Sequence, residues 1–184
     1  HAAVRIVLKA RRTDNTVGKL YVKNLKLTVP ARLVCGGLKW DTGTKQYLAA
    51  PAAADLVINH SGQILSTEDT QVAVFYLTPC SPADLLTDLT GTGGTPGLTL
   101  TADVAKDINF TTGARNASFP ILDGNLNFMD QFGSPVTQLK GGESYETTLE
   151  FDIDSFTLEG EEKEWEDGGK MTVPVVVPEP TPGP

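Results

Sequence analysis

Apolar and polar residues alternate along much of the chain in short runs, each ended by Gly, Pro, Asn or Asp, a period-2 pattern that predicts β-strands with one face turned inward. In Ala2–Arg11, Val4, Ile6 and Leu8 share one face and Arg5 and Lys9 the other, and Thr13-Asp14-Asn15 closes the run. Leu20–Val29 places Tyr21, Leu25, Leu27 and Val29 on one phase and Val22, Asn24, Lys26 and Thr28 on the other, and it stops at Pro30. Leu33-Val34-Cys35 is broken by Gly36-Gly37. Leu38–Lys45 then carries a hairpin turn at Asp41-Thr42-Gly43 that leans Trp40 onto Tyr47. Ala49–Ala54 reads as a small-residue connector, and Leu56-Val57-Ile58 as a short strand before the turn Asn59-His60-Ser61-Gly62.

Gln71–Pro79 is apolar on both phases, as a central strand covered on both sides would be. Ser81–Leu89 has an N-cap Ser, Pro82 at the first position and Asp84 in the first turn, which predicts two turns of helix. After the flexible loop Thr90–Gly97, Leu98–Val104 and Asp107–Thr111 read as strands. Asn109–Gln131 reads as a long ordered loop containing at most one strand. Beyond the Gly141-Gly142 turn, Tyr145, Thr147, Leu149, Phe151 and Ile153 alternate with Glu146, Thr148, Glu150 and Asp152, and Phe156 and Leu158 mark a second short strand. Trp165, set among charges, is expected to fold back and plug the end of the core. These elements predict an all-β fold, a mostly antiparallel Greek-key β-sandwich, with residues 1–169 as one domain. Residues 170–184 form a β-prone, Pro-rich tail in which Met171, Val173, Val175 and Val177 either complete the domain's own sheet or pair with a neighbour's open edge. Pro174 confines that strand to an edge, because it removes a ladder donor.

Composition narrows the partners. The net charge of −8 argues against nucleic acid or an anionic membrane, either of which favours a basic patch. The sequence holds no stretch of about 18 apolar residues that would cross a membrane as a helix, so any signal or membrane anchor is expected outside this chain. Two cysteines, Cys35 and Cys80, are far apart and have no His or Cys at metal-ligand spacing; a disulfide and two free thiols both remain open. His60 sits in a turn with no nucleophile near it, which speaks against catalysis, and Gly91–Gly97 lacks the Lys and following helix of a phosphate loop. Asp152, Asp154, Glu159, Glu161, Glu162, Glu164, Glu166 and Asp167 lack calcium-loop spacing and read as a solvated face that discourages edge pairing. No cofactor and no metal site is expected. Trp40 and Trp165 are candidate platforms for a ligand ring, weighed against core or end-cap roles.

The two ends of the chain resemble the fimbrillin-like family, pilus subunits and relatives of Gram-negative anaerobes. The likeness rests on Leu139-Lys140-Gly141-Gly142, Tyr145 opening an alternating strand and the ending Trp165-Glu166-Asp167-Gly168. At the front it rests on His1-Ala2, Val4-Arg5-Ile6-Val7-Leu8, Val22-Lys23-Asn24-Leu25 and Asp41-Thr42-Gly43-Thr44. Gln71–Pro79 matches the hydrophobic strand running into Pro that such domains carry mid-chain, whereas Cys80–Gly133 carries no part of the likeness. The resemblance implies a transthyretin-like sandwich, secreted to the cell surface, outer membrane or fimbrium. It implies a pilus shaft, tip or anchor subunit or an adhesin, with no enzyme activity. Its partners would be other pilin subunits or surface proteins, reached by strand exchange, and a host or bacterial glycan or protein. The rival reading is a glycan-binding module of a surface uptake system, with Trp40, Tyr47 or Trp165 as its platform.

Overall fold

The computed structural model describes residues 3–12, 20–64, 67–86, 96–119, 128, 135–151 and 173–174. These form ten strands: β1 (Val4–Arg12), β2 (Tyr21–Val29), β3 (Cys35–Asp41), β4 (Gln46–Pro51), β5 (Leu56–His60), β6 (Thr70–Leu77), β7 (Thr99–Ala105), β8 (Arg115–Phe119), β9 (Ser144–Phe151) and β10 (Val173–Pro174). One four-stranded sheet has the order β10-β9-β1-β6 and another the order β5-β2-β7-β8, while β3 and β4 form a two-stranded sheet of their own. The protein is all-β, as the alternation predicts, and the pairings are antiparallel except β1–β9 and β9–β10.

Inward side chains of the two larger sheets meet in one core. β1 contributes Val4, Ile6, Leu8 and Ala10, β6 contributes Phe75 and Leu77, and β9 contributes Leu149 and Phe151; Val22, Leu25, Leu27, Leu100, Ala102 and Val104 come from β2 and β7. Burying an aliphatic or aromatic side chain of this kind is worth about 1.5–3 kcal/mol, so this two-layer core is what the alternation pays into. β1 lies at the centre of its sheet, bonded on one side to β6 and on the other to β9 in a parallel register from Arg5↔Ser144 to Arg12↔Phe151. Parallel neighbours need a long crossover, and here nearly the whole described chain between β1 and β9 supplies it.

Several local expectations are corrected. β2 does not keep one phase: Val22 is buried together with Leu25, Leu27 and Val29, because the β2–β7 register shifts between Lys23 and Lys26 and Asn24 takes a left-handed φ of 52°. β6 is an edge strand rather than a central one, and its Tyr76 is exposed. Asp107–Thr111 is a turn: the Asp107 carboxylate accepts the backbone N–H groups of Asn109, Thr111 and Thr112, which bends the chain back into β8. The expected two-turn helix is a single 3₁₀ turn, Pro82–Leu85, closed by Ser81 N–H and Oγ–H donating to Asp84 Oδ2 at 2.8 Å. β4 takes in part of the expected connector, running through Ala50 to Pro51. Gly36 is required at the base of the β3–β4 hairpin, where a Cβ would stand 2.6 Å from the Ala52 Cα. The predicted strand at Phe156–Leu158 lies outside the described residues.

Candidate functional site

β9 organises one edge of the molecule. The turn before it is fixed by Tyr145, whose hydroxyl accepts the Lys140 N–H at 3.1 Å and donates to the Glu143 carboxylate, while its ring meets Phe128 edge-on at 5.9 Å. Gly142, at φ 88°, lets the turn close, and its N–H donates to the Ala3 carbonyl. The strand then alternates as its sequence predicts: Tyr145, Thr147, Leu149 and Phe151 are buried, whereas Glu146, Thr148 and Glu150 face outward.

The outward acids of β9 are not merely solvated. Lys9 Nζ lies 2.6 Å from Glu146 Oε2, and Arg11 forks onto Glu150 Oε2 through Nε at 3.0 Å and Nη2 at 2.7 Å. Arg11 Nη1 also lies 3.5 Å from Asp69, which accepts the Thr148 hydroxyl hydrogen at 3.2 Å. The hydrogen bond to Glu146 holds the Lys9 ammonium above its ordinary pKa, and the bond to Glu150 does the same for Arg11. This row of charges clamps β1 to β9 on the outer face of the sheet.

The far edge of β9 meets the tail. Among the described residues only Val173, opposite Leu149, and Pro174, opposite Glu150, pair there, in parallel. Pro174 thus stands in an edge strand, the position its missing N–H allows. Along Ser144–Thr148 no described residue pairs on that side. Of the tail residues singled out for subunit contact, Val173 is in β10, whereas Met171, Val175 and Val177, like Trp165, lie outside the described residues.

The β3–β4 hairpin forms a second surface. A four-residue turn is closed by Asp41 Oδ1, which accepts the Thr44 N–H at 2.6 Å and the Thr44 hydroxyl hydrogen at 2.8 Å and so stays below the ordinary carboxylate pKa. It brings Trp40 directly opposite Tyr47, ring centroids 5.1 Å apart, in line with the expectation from sequence. Leu38, Trp40 and Tyr47 share one face of the hairpin and are 58%, 49% and 56% exposed. The two rings meet at 65°, edge to face rather than coplanar, so neither extends the other into a flat platform.

Cys35 and Cys80 are both free. Cys35, half-buried at the start of β3, donates weakly to the Gly37 carbonyl at 3.5 Å. Cys80 is buried beside the bridge to Leu139, and burial, with Asp84 adding to it, pushes its thiol up to about 11. His60 ends β5, half-buried against Gly62. Among the described residues no group of three or more His, Cys, Asp or Glu side chains is placed to hold a metal ion, and no helix is long and apolar enough to cross a membrane. Compared with known proteins, the chain matches no family model and no curated protein sequence.

Proposed function

We propose that this chain is a secreted, cell-surface protein of the fimbrillin-like kind, with a Greek-key, transthyretin-like sandwich. It serves as a structural subunit of a pilus or as an adhesin, joins its neighbours by β-strand pairing, and carries out no catalysis. The observation that carries this reading is the β9 edge, where a two-residue strand from the tail is laid against an eight-residue strand. Among the described residues this pairing contributes on the order of two net hydrogen bonds, about 2 kcal/mol, a size that a longer strand from another subunit would outcompete. The 65° angle between Trp40 and Tyr47 weighs against the rival reading of that hairpin as a sugar-stacking platform. An exposed apolar face on a two-stranded hairpin suits contact with a neighbouring protein better.

Light scattering during size-exclusion chromatography tests the proposal on the full chain against a chain ending at Gly169. Concentration-dependent oligomers of the first and a folded monomer of the second are expected. Monomers throughout, at every concentration, would refute strand-mediated assembly.

A further inference from the structure

On the outer face of the β5-β2-β7-β8 sheet, away from the β9 edge, six side chains surround an open depression of roughly 320 Å³. That is the lower end of the usual range for ligand pockets. β2, β7 and β8 bring Lys23, Asp103 and Asn116 into one cross-strand row, Phe110, Ala114 and Arg115 complete the lining, and Asn24 lies beside it, bonded to Asp103. Asp103 lies at the middle: its Oδ2 accepts from Asn24 Nδ2 at 2.7 Å and its Oδ1 from Asn116 Nδ2 at 3.1 Å. Those amides, Asn24 first and then Asn116, hold its carboxyl below the ordinary range, so it is ionised at neutral pH. A carboxylate offers about four lone-pair sites, and these two bonds leave others unused.

The backbone is bent to build this place. Among the described residues three non-glycines have positive φ, and two of them, Asn24 at 52° and Phe110 at 58°, belong to it. A bulky residue such as Phe is an outlier there and persists only where its surroundings hold it. Asp107 does so by gathering the N–H groups of Asn109, Thr111 and Thr112, and the Lys23 ammonium sits 3.9 Å from the centre of the Phe110 ring.

The chemistry of the lining selects among ligands. Lys23 and Arg115 disfavour a metal cation, while the central Asp103 carboxylate disfavours a free oxoanion. A purely apolar molecule would cut the Asp103 carboxylate and the Lys23 ammonium off from water and offer no hydroxyl in its place. Hydroxyl groups, each donor and acceptor at once, answer a carboxylate, two side-chain amides and two cations together, and Phe110 offers an apolar wall to the C–H face of a sugar ring. We propose that this depression binds a neutral saccharide: Asp103 accepts from adjacent hydroxyls, Asn24 and Asn116 bridge to them, Lys23 and Arg115 donate, and Phe110 packs against the ring. The proposal is independent of strand pairing at β9 and would give an assembled subunit a contact with glycans.

Amide chemical shifts of the full, ¹⁵N-labelled chain titrated with D-galactose, D-mannose, L-fucose and N-acetyl-D-glucosamine test it. At least one of these sugars is expected to give saturable shifts centred on Lys23, Asn24, Asp103, Phe110, Arg115 and Asn116. Asp103→Asn removes the ionic acceptor and should weaken that binding about tenfold or more, the effect of losing a charged hydrogen bond. Phe110→Gly takes the positive φ without strain, so it should stay folded while binding weakens through loss of the wall. It decides the matter if Asp103→Asn does not fold. The proposal is overturned if no sugar shifts these amides, if the shifts centre instead on Trp40 and Tyr47, if the folded variants bind unchanged, or if inorganic sulfate occupies the depression more tightly than any sugar.

Discussion

Arg11 meets two carboxylates, Glu150 and Asp69, at the seam between β1 and β9, and its replacement by Met measures how firmly the first strand is held. The guanidinium forks onto Glu150 at 2.7 and 3.0 Å and reaches Asp69 at 3.5 Å, with the Arg11 and Glu150 side chains 31% and 18% exposed. Exposed pairs contribute about 0.2–1 kcal/mol, whereas breaking a fully buried pair costs about 3–5 kcal/mol. A half-buried forked pair lies between, so Arg11→Met, which keeps the aliphatic stem, should cost about 2 kcal/mol. For a chain of this size that lowers Tm by about 4–8 °C. Part of this cost is the carboxylate left behind, so the pair itself is isolated by a double-mutant cycle with Glu150→Gln, followed by urea denaturation. We expect a coupling of about 1 kcal/mol, reduced at high salt because the pair is partly open to solvent. A coupling below about 0.3 kcal/mol, within the scatter of additive mutations, would refute the view that this ion pair clamps β1 to β9.

Two further outcomes follow from titratable groups. Asp41, Asp103 and Asp107 are all held below their ordinary range in the folded state, mainly by hydrogen bonds from Thr44, from Asn24 and Asn116, and from Thr112. Their stabilisation is therefore fully present above about pH 4 and is lost as pH falls through their folded values. Urea denaturation should show that decline, and Asp107→Asn should make it shallower; a slope identical to that of the parent would contradict the role given to the Asp107 turn. Cys80, with its thiol at about 11 and its side chain buried, should resist a thiol-specific disulfide reagent at pH 8 until denaturant is added. A native mass lower by two hydrogens, marking a Cys35–Cys80 bridge, would contradict the free thiols.

β1 and β9 were legible because their inward positions recur every second residue, Val4, Ile6, Leu8 and Ala10 in one and Tyr145, Thr147, Leu149 and Phe151 in the other, and the Trp40–Tyr47 pair was legible because the Asp41 turn fixes which residues face each other. Where a polar side chain redirects the backbone, the pattern misleads. Asn24 in the left-handed region reverses the phase of β2, and Asp107 turns an apparently β-prone stretch into a loop. β6 reads as central since both of its phases are apolar, yet its place at the sheet edge is decided by long-range pairing with β1 that local pattern does not encode. β8 falls within the Asn109–Gln131 segment that allowed one strand, but a composition rich in Asn and Gly did not mark its bounds. The lining of the depression escaped for the same reason as β6. Asn24 and Asp103 are 79 residues apart, and only the antiparallel register of β2 with β7 brings them together. The one local sign was the cluster of turn-forming residues from Asp107 to Gly113.

Binding of a peptide of residues 170–184 to a chain ending at Gly169, followed by fluorescence anisotropy and by the amide shifts of β9, tests strand addition at this edge most directly. Saturable binding with the largest shifts at Leu149 and Glu150, spreading toward Ser144, and none for a scrambled peptide, is the predicted result. A peptide that does not bind, or binds no better than its scrambled form, would contradict assembly through the β9 edge.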